Sequence, residues 1–265
     1  MNTNTHPLLH YTVAGNGPVV ILLHGLSASI RHWQLLIPKL TSAGYCTVAP
    51  DLLGHGDSAK PPDPKFYTAQ ASLAALEDWI GCLELEEPFY LIGHSLGGYF
   101  SLRLAQRHPK KVRAVVLIDP LFSLSQLNLL MNVFMPMSDV GVKILKAVPF
   151  WVVQTYLNLD QSFIYGLPRP IRVWYAQDVK RASPNFLEIP GTIVEMEPAL
   201  DQITPRTLVI WGDDDRLEDP ATFERLIRGL PNASGCIVRG TGHQPHHTRP
   251  EVVHSVILNF ICQHN

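Results

Sequence analysis

A serine between closely spaced glycines, Gly93-His94-Ser95-Leu96-Gly97, constrains this chain more than any other feature of its sequence. Residues 89–92 before it are a short apolar run, and apolar residues from 96 to 104 recur at helical spacing. The pattern predicts a buried strand, a sharp turn and a helix. The glycines let strand and helix approach closely, and a strained backbone at Ser95 places its hydroxyl at the helix N-terminus.

That position has a chemical consequence for Ser95. Unpaired backbone N–H groups and the helix dipole favour negative charge at a helix N-terminus. A hydroxyl there can attack a carbonyl carbon while the carbonyl oxygen becomes a stabilised oxyanion. A glycine-flanked serine is equally compatible with a plain helix N-cap, so other parts of the chain must decide between the two readings.

Strand and helix patterns alternate along most of the chain. Apolar runs that predict strands lie at residues 8–13, 19–23, 46–49, 112–118, 207–211 and 235–238. Segments with helical spacing lie at residues 33–43, 68–83, 220–230 and 250–260. This alternation predicts an α/β fold with a doubly wound, mostly parallel sheet and helices on both faces.

The pattern changes between residues 121 and 204. Strand-like runs disappear there, and apolar residues recur at helical spacing between repeated prolines. We predict a core formed by residues 1–120 and 205–265, with residues 121–204 inserted as a helical cap. The cap residues from which we expect an apolar substrate cleft are Phe122, Leu129, Met131, Phe134, Met135, Phe150, Trp151 and Tyr156.

The charge and composition of the chain limit the kinds of partner that it is expected to bind. The net charge is −2 and no Lys/Arg run is present, which disfavours nucleic acid. No apolar stretch reaches the roughly 18 residues of a membrane span, so stable membrane insertion is not expected. We expect a small-molecule substrate, no cofactor, and a monomer or homodimer.

The cysteines and the N-terminal residues indicate the cellular compartment in which we expect the protein. Cys46, Cys82, Cys236 and Cys262 are scattered, and three lie in apolar runs, which favours reduced core residues and a cytoplasmic location. The first residues show no evident signal peptide.

A serine nucleophile needs a base and an acid that orients it. The candidate base is His243, because the turn 240–242 after the last predicted strand would aim it inward; His246 and His247 are rivals. The candidate acid is Asp215, which follows the strand predicted at 207–211; three consecutive aspartates repel one another, so at most one of them is expected to point inward. Asp119, at the end of another strand, is the alternative.

Other polar residues near these strand ends have competing interpretations. His24 and His94 are expected to brace loops, and Asp51 to organise its own glycine-rich loop. A metal site at His243-x-x-His246 is disfavoured because no acidic or cysteine ligand accompanies the pair at usual spacing, and no metal is expected. The backbone N–H groups of Leu26 and Leu96 are the candidate oxyanion donors.

Five motifs together resemble the α/β-hydrolase superfamily in order and spacing: HGLSASIRHW, VAPDLLGHGDS, LIGHSLGGY, WGDDDR and GTGHQPHHTRPEVV. The order Ser, Asp, His is also that of the family. The resemblance implies about eight mostly parallel strands, the catalytic residues Ser95, Asp215 and His243, an oxyanion hole at Leu26 and Leu96, and a helical lid.

Differences from individual branches narrow the expected activity. A serine at position 95 differs from the aspartate nucleophile of haloalkane dehalogenases and epoxide hydrolases. The segment after His24 lacks the glycine-rich run of C–C bond hydrolases. We therefore expect an esterase of small to medium, fairly apolar substrates, with a C–C, lactone or thioester hydrolase as the alternative and a ligand receptor on the same fold less favoured.

Overall fold

The computed structural model describes residues 2–5, 8–127, 138–159 and 166–263. Its strands are β1 (Asn2–Thr5), β2 (His10–Ala14), β3 (Val19–Leu23), β4 (Cys46–Pro50), β5 (Phe89–Ser95), β6 (Val112–Pro120), β7 (Arg206–Gly212) and β8 (Ala233–Val238). They form one eight-stranded sheet in the order β1-β2-β4-β3-β5-β6-β7-β8. Strand β2 pairs antiparallel with both β1 and β4, and all other pairs, from β4 to β8 in the sheet order, are parallel. This confirms the predicted fold class.

The α-helices connect the strands and cover both faces of the sheet. They are α1 (Ile37–Ser42), α2 (Ala69–Cys82), α3 (Leu96–Arg107), α4 (Ser138–Ala147), α5 (Phe150–Leu159), α6 (Arg169–Arg181), α7 (Phe223–Gly229), α8 (Pro245–Thr248) and α9 (Pro250–Cys262). None of the helices in the described ranges is long and apolar enough to cross a membrane.

Strand β3 shows how the core is divided. Ile21 and Leu23 pack into one apolar layer, with α2 and α3, whereas Val20 and Leu22 pack into the other, with α1 and α9. Successive side chains of a strand point to opposite faces, so a continuous apolar run is buried on both. The apolar run therefore buries the carboxyl end of β3. Strand β5 pairs with β3 in parallel, so its carboxyl end is buried beside it.

Three local features differ from the sequence prediction. The polar strand β1 has no apolar alternation and was not predicted. In place of the single helix expected at 33–43, the chain forms a 3-10 turn, Ile30–Trp33, and then α1. Proline is favoured in the first turn of a helix, so the new helix begins next to Pro38. Cys82 and Cys262 are exposed rather than in the core, and all four cysteines are free.

The described residues between 121 and 204 form three α-helices and several 3-10 turns. Phe122 is fully buried in the core, whereas Trp151 is 66% exposed. The expected cleft residues Leu129, Met131, Phe134 and Met135 lie outside the described residues, and the side chain of Tyr156 is also not described.

Polar contacts join helix α6 to the loops of the sheet. Ser29 Oγ donates to Asp178 Oδ2 at 2.8 Å, and Arg31 forms an ion pair with the same carboxylate. Arg181 forms a second ion pair with Asp57. Burial raises the pKa of Asp178, although the hydrogen bonds from Arg31 and Ser29 oppose this change by stabilising the ionised carboxylate. These contacts fix α6 against the loops that follow β3 and β4.

Candidate active site

Ser95 occupies the turn between β5 and α3 with φ +50° and ψ −118°. A positive φ is strained for a residue with a side chain. The strain is imposed by close packing: a Cβ at Gly93 would collide with the Gly97 carbonyl oxygen, and one at Gly97 with that of Leu23. The structure thus contains the predicted strand, turn and helix, with Ser95 at the helix N-terminus.

The end of β6 supports this turn from the other side. Ser95 pairs with Pro120 in the sheet register, and the Leu121 N–H donates to the Ser95 carbonyl at 3.1 Å. The backbone of Ser95 is therefore held by hydrogen bonding to a neighbouring strand end. This keeps the strained conformation in place.

His243 and Asp215 form a buried pair. The Nδ1–H of His243 donates to Asp215 Oδ2 at 2.7 Å, and both side chains are fully shielded from solvent. Because a carboxylate only accepts, Nδ1 carries the proton and Nε2 is left as the basic nitrogen. The structure places Asp215, rather than the alternative Asp119, on this ring.

Backbone groups orient the Asp215 carboxylate. Its Oδ1 accepts the N–H groups of Leu217 at 2.8 Å and Glu218 at 3.1 Å. Asp213 is exposed, and Asp214 pairs with Arg216. Of three consecutive aspartates, only the third points inward, as the repulsion between like charges led us to expect.

His94 connects the nucleophile turn to the histidine loop. Its Nε2–H donates to the His243 carbonyl oxygen at 2.8 Å, which leaves Nδ1 as an acceptor. Burial, and then the neighbouring His243, lower the pKa of His94 far below its ordinary value. The residue before Ser95 therefore stays neutral and fixes the backbone of the candidate base.

His24 braces the loop after β3. Its Nδ1–H donates to the Gly25 carbonyl at 2.8 Å, and its Nε2 accepts the Leu52 N–H at 3.0 Å. Burial lowers the pKa of His24 to about 4, although the bond to Gly25 opposes the change. His24 is thus a neutral brace, as its position after the strand indicated.

Two backbone N–H groups adjoin the serine turn. Leu96 begins α3, so its N–H has no partner within the helix. Leu26 follows Gly25, where a Cβ would lie 3.2 Å from Ser95 Cβ, and its N–H makes no backbone hydrogen bond within the described part of the chain. Both residues therefore lie at the Ser95 turn, and their role as oxyanion donors stays a prediction.

The rival histidines have partners of their own. His246 Nε2 lies 2.7 Å from His32 Nε2, and His247 Nε2 lies 3.4 Å from His32 Nδ1. All three rings are buried, and burial is the main cause that lowers their pKa values. His246 is thus directed toward His32, whereas His243 is directed toward Asp215, and the two do not point to a common metal position.

Asp51 organises its loop, as expected. Its Oδ1 accepts the Ile30 N–H and its Oδ2 accepts the Asp57 N–H, each at 2.8 Å. A Cβ at Gly56, where φ is +47°, would collide with the Asp51 carboxylate. Asp51 has a structural role beneath the site.

Two further carboxyl groups lie close to the histidine and aspartate pair. Asp119 and Glu218 are almost completely buried, and burial, followed by the nearby Asp215, raises both pKa values well above the ordinary range. Glu218 was not singled out in the sequence, because it lies in the polar run after Asp215 and resembles a surface residue. Only the tertiary structure reveals this carboxyl cluster.

Comparison with known proteins gives a consistent family match. The model of the alpha/beta hydrolase family matches residues 20–256. Lipase 1 of Psychrobacter immobilis is 25% identical over 89% of this chain and 74% of its own length. The 2-hydroxy-6-oxo-6-phenylhexa-2,4-dienoate hydrolase of Burkholderia cepacia is 27% identical over 96% of this chain and 91% of its own. In structure, an esterase from Thermogutta terrifontis shares the fold with a TM-score of 0.81, at 21% identity, over 97% of this chain and 94% of its own.

Proposed function

Because this chain belongs to the alpha/beta hydrolase family, we propose that it hydrolyses carboxylic esters through an acyl-enzyme on Ser95. The observation that carries the proposal is the buried 2.7 Å contact between His243 and Asp215, in a loop that His94, the neighbour of the positive-φ Ser95, joins by a hydrogen bond to the His243 carbonyl. A buried base that is oriented by a carboxylate is what serine acyl transfer requires.

The first step is attack of Ser95 Oγ on the ester carbonyl. His243 Nε2 accepts the hydroxyl proton while Asp215 stabilises the resulting imidazolium and holds the tautomer. The negative charge that develops on the carbonyl oxygen is accepted by the N–H groups of Leu26 and Leu96. The tetrahedral intermediate then expels the alcohol, which takes its proton from His243.

The second step returns the enzyme to its starting state. Water enters, His243 removes one of its protons, and the resulting hydroxide attacks the acyl carbon on Ser95. The same two N–H groups stabilise the second oxyanion. The C–O bond to Ser95 breaks, Ser95 regains its proton from His243, and the carboxylic acid leaves.

The proposed cap, residues 121–204, would shape the substrate pocket. Helix α6 is fixed to the core through Asp178, and we expect apolar side chains of the cap to determine which acyl or alcohol groups fit. The apolar composition of residues 121–135 favours small to medium apolar substrates.

A second candidate is hydrolysis of a C–C bond beside a ketone. The relative from Burkholderia cepacia, named as a hydrolase of a phenyl-substituted oxo-dienoate, supports it. The proposed residues Ser95, His243 and Asp215 would serve that reaction equally, so a substrate panel separates the two.

The test is hydrolysis of p-nitrophenyl esters from acetate to palmitate by the wild type, Ser95→Ala and Ser255→Ala. Ser255 is exposed on α9 and serves as the matched control. We expect turnover by the wild type and the control and only background turnover by Ser95→Ala. Substantial ester turnover by Ser95→Ala would overturn the assignment, whereas inactivity of the wild type on all esters would favour the C–C candidate.

A further inference from the structure

Asp119 lies at the carboxyl end of β6, one residue before Pro120. Its side chain is fully buried, and its φ of +39° is in the left-handed region that aspartate tolerates better than most residues. Its Oδ1 accepts the Gly212 N–H at 2.9 Å. Since Gly212 ends β7 three residues before Asp215, Asp119 links two neighbouring strand ends at the candidate site.

The second carboxyl oxygen of Asp119, Oδ2, lies near another carboxyl group, that of Asp215. No N–H or O–H donor of the described residues bonds to Oδ2. Instead, acceptor atoms of Asp119, Asp215 and His243 lie within 4.8 Å of one another, which brings the carboxyl groups of Asp119 and Asp215 together in a buried cluster. Two ionised carboxylates buried this close to each other would repel strongly, so the arrangement favours a proton on one of them.

The donor pattern decides which group is charged. Asp215 accepts N–H groups from His243, Leu217 and Glu218, whereas Asp119 accepts, from the part of the chain that the structure describes, only that of Gly212. Donors stabilise the ionised form of a carboxyl group, so the charge belongs on Asp215 and the proton on Asp119.

Glu218 completes the cluster without competing for the charge. Its Oε2 accepts only a long hydrogen bond, 3.4 Å, from the Gln126 side chain. Burial and the nearby charge of Asp215 raise its pKa as they do for Asp119. The cluster therefore carries a single negative charge, which faces His243.

We propose that Asp119 is a positioning residue that keeps its proton at neutral pH and donates a hydrogen bond from Oδ2 to the carboxylate of Asp215. The inference rests on the proposed function of Asp215 and His243. The bond restrains the Asp215 carboxylate in the orientation that accepts Nδ1–H of His243.

The proton on Asp119 also protects the basicity that catalysis needs. A second negative charge about 5 Å from the imidazole would strongly favour its protonated form. A protonated His243 cannot accept the Ser95 proton at neutral pH. One charge in the cluster stabilises the transient imidazolium without making it permanent.

Two variants of Asp119 distinguish the effect of its hydrogen bond to Asp215 from the effect of its positive φ. Asp119→Asn keeps a donor toward Asp215, an acceptor for Gly212 and the positive φ, since asparagine tolerates that region. Asp119→Gly also tolerates the φ but removes both contacts. We expect kcat within about threefold of wild type for Asp119→Asn, and a loss of about tenfold or more for Asp119→Gly, with KM unchanged.

The pH profile distinguishes a protonated Asp119 from an ionised one. With Asp119 protonated, the midpoint of the acid limb of kcat/KM in Asp119→Asn stays within a few tenths of a unit of wild type. An ionised Asp119 would instead give a fall of about one unit or more, because the variant would lose a negative charge beside the imidazole.

Infrared spectroscopy reads the proton directly and needs no turnover. Carboxyl-¹³C aspartate labelling separates aspartates from Glu218. At pH 7 we expect a protonated-carboxyl band in the wild type and in the control Asp214→Asn, and its absence in Asp119→Asn. Absence of the band in the wild type overturns the proposal, even if all variants fold poorly. A band in an enzyme that hydrolyses no ester would uphold the proton on Asp119 while the proposed function fails.

Discussion

His243 Nδ1 and Asp215 Oδ2 lie 2.7 Å apart, although 28 residues separate them in sequence. They meet because β7 and β8 are adjacent and parallel, so the loops after both strands emerge at one edge of the sheet. Replacement of Asp215 by asparagine removes the charge that stabilises the imidazolium. We expect kcat for ester hydrolysis to fall about 10³-fold or more in steady-state assays.

The neighbouring aspartate provides the control for that experiment. Asp214→Asn removes a partly exposed carboxylate that pairs with Arg216, so kcat should stay within about twofold of wild type. A greater loss in Asp214→Asn than in Asp215→Asn would contradict the geometry described above.

Gly25→Ala tests the loop that carries the Leu26 N–H. The added Cβ would lie 2.8 Å from His94 Nδ1 and 3.2 Å from Ser95 Cβ. Because the loop must move away from Ser95, we expect kcat to fall about 10- to 100-fold. Gly81→Ala is the matched control: its Cβ meets no atom within 4 Å on α2, and it should raise the free energy of unfolding by about 0.5–1 kcal/mol without loss of activity.

The stability of the protein should fall in mild acid. Burial lowers the pKa of His24 and His254 to about 4, and that of His55 and His247 to about 3. Below the ordinary value of 6.5 the unfolded chain binds protons that the folded protein excludes, so each buried histidine costs up to about 1.4 kcal/mol per pH unit.

Urea denaturation at several pH values measures this loss. We expect a steep fall in the midpoint between about pH 6.5 and 4, and a shallower fall as the pH rises above 7 for as long as Asp119 and Glu218 keep their protons in the folded state. The raised pKa values of Asp119, Asp178 and Glu218 act in the opposite direction, because the folded state retains protons there, but these three carboxyl groups oppose a larger set of histidines. Equal midpoints at pH 5 and pH 7 would show that the histidines are not buried as described.

The contact between α6 and the core predicts a stability effect of Arg31. The Asp178 side chain is 5% exposed and that of Arg31 33%. Arg31→Ala would leave a buried carboxylate with fewer partners, so we expect a loss of about 1–3 kcal/mol in the free energy of unfolding, discounted for partial exposure. Arg228→Ala, from an exposed pair with Glu224, should cost less than about 0.5 kcal/mol.

The sheet and the positions of Ser95, His243 and Asp215 could be predicted from the sequence for two physical reasons. Apolar runs buried on both faces, such as Val19–Leu23, indicate parallel strands. Parallel strands bring their following loops to one edge, so a serine, an aspartate and a histidine in such loops are expected to be neighbours.

The remaining features depend on contacts that no local pattern encodes. Glu218 is buried because the loop after β7 meets Gln126 and Leu127, residues that are distant in sequence. His246 and His247 are buried against His32, far along the chain. The polar strand β1 forms through backbone pairing with β2, which its side chains do not signal.

The most direct test of the account is covalent trapping of Ser95. The wild type, Ser95→Ala and Ser255→Ala are treated with diethyl p-nitrophenyl phosphate, which reacts with activated serines, and analysed by intact-protein and peptide mass spectrometry. We predict one diethylphosphoryl group on the Ser95 peptide of the wild type and of Ser255→Ala, with none on Ser95→Ala. Modification of another residue, or of Ser95→Ala to the same extent as the wild type, would contradict the assignment of Ser95 as the nucleophile.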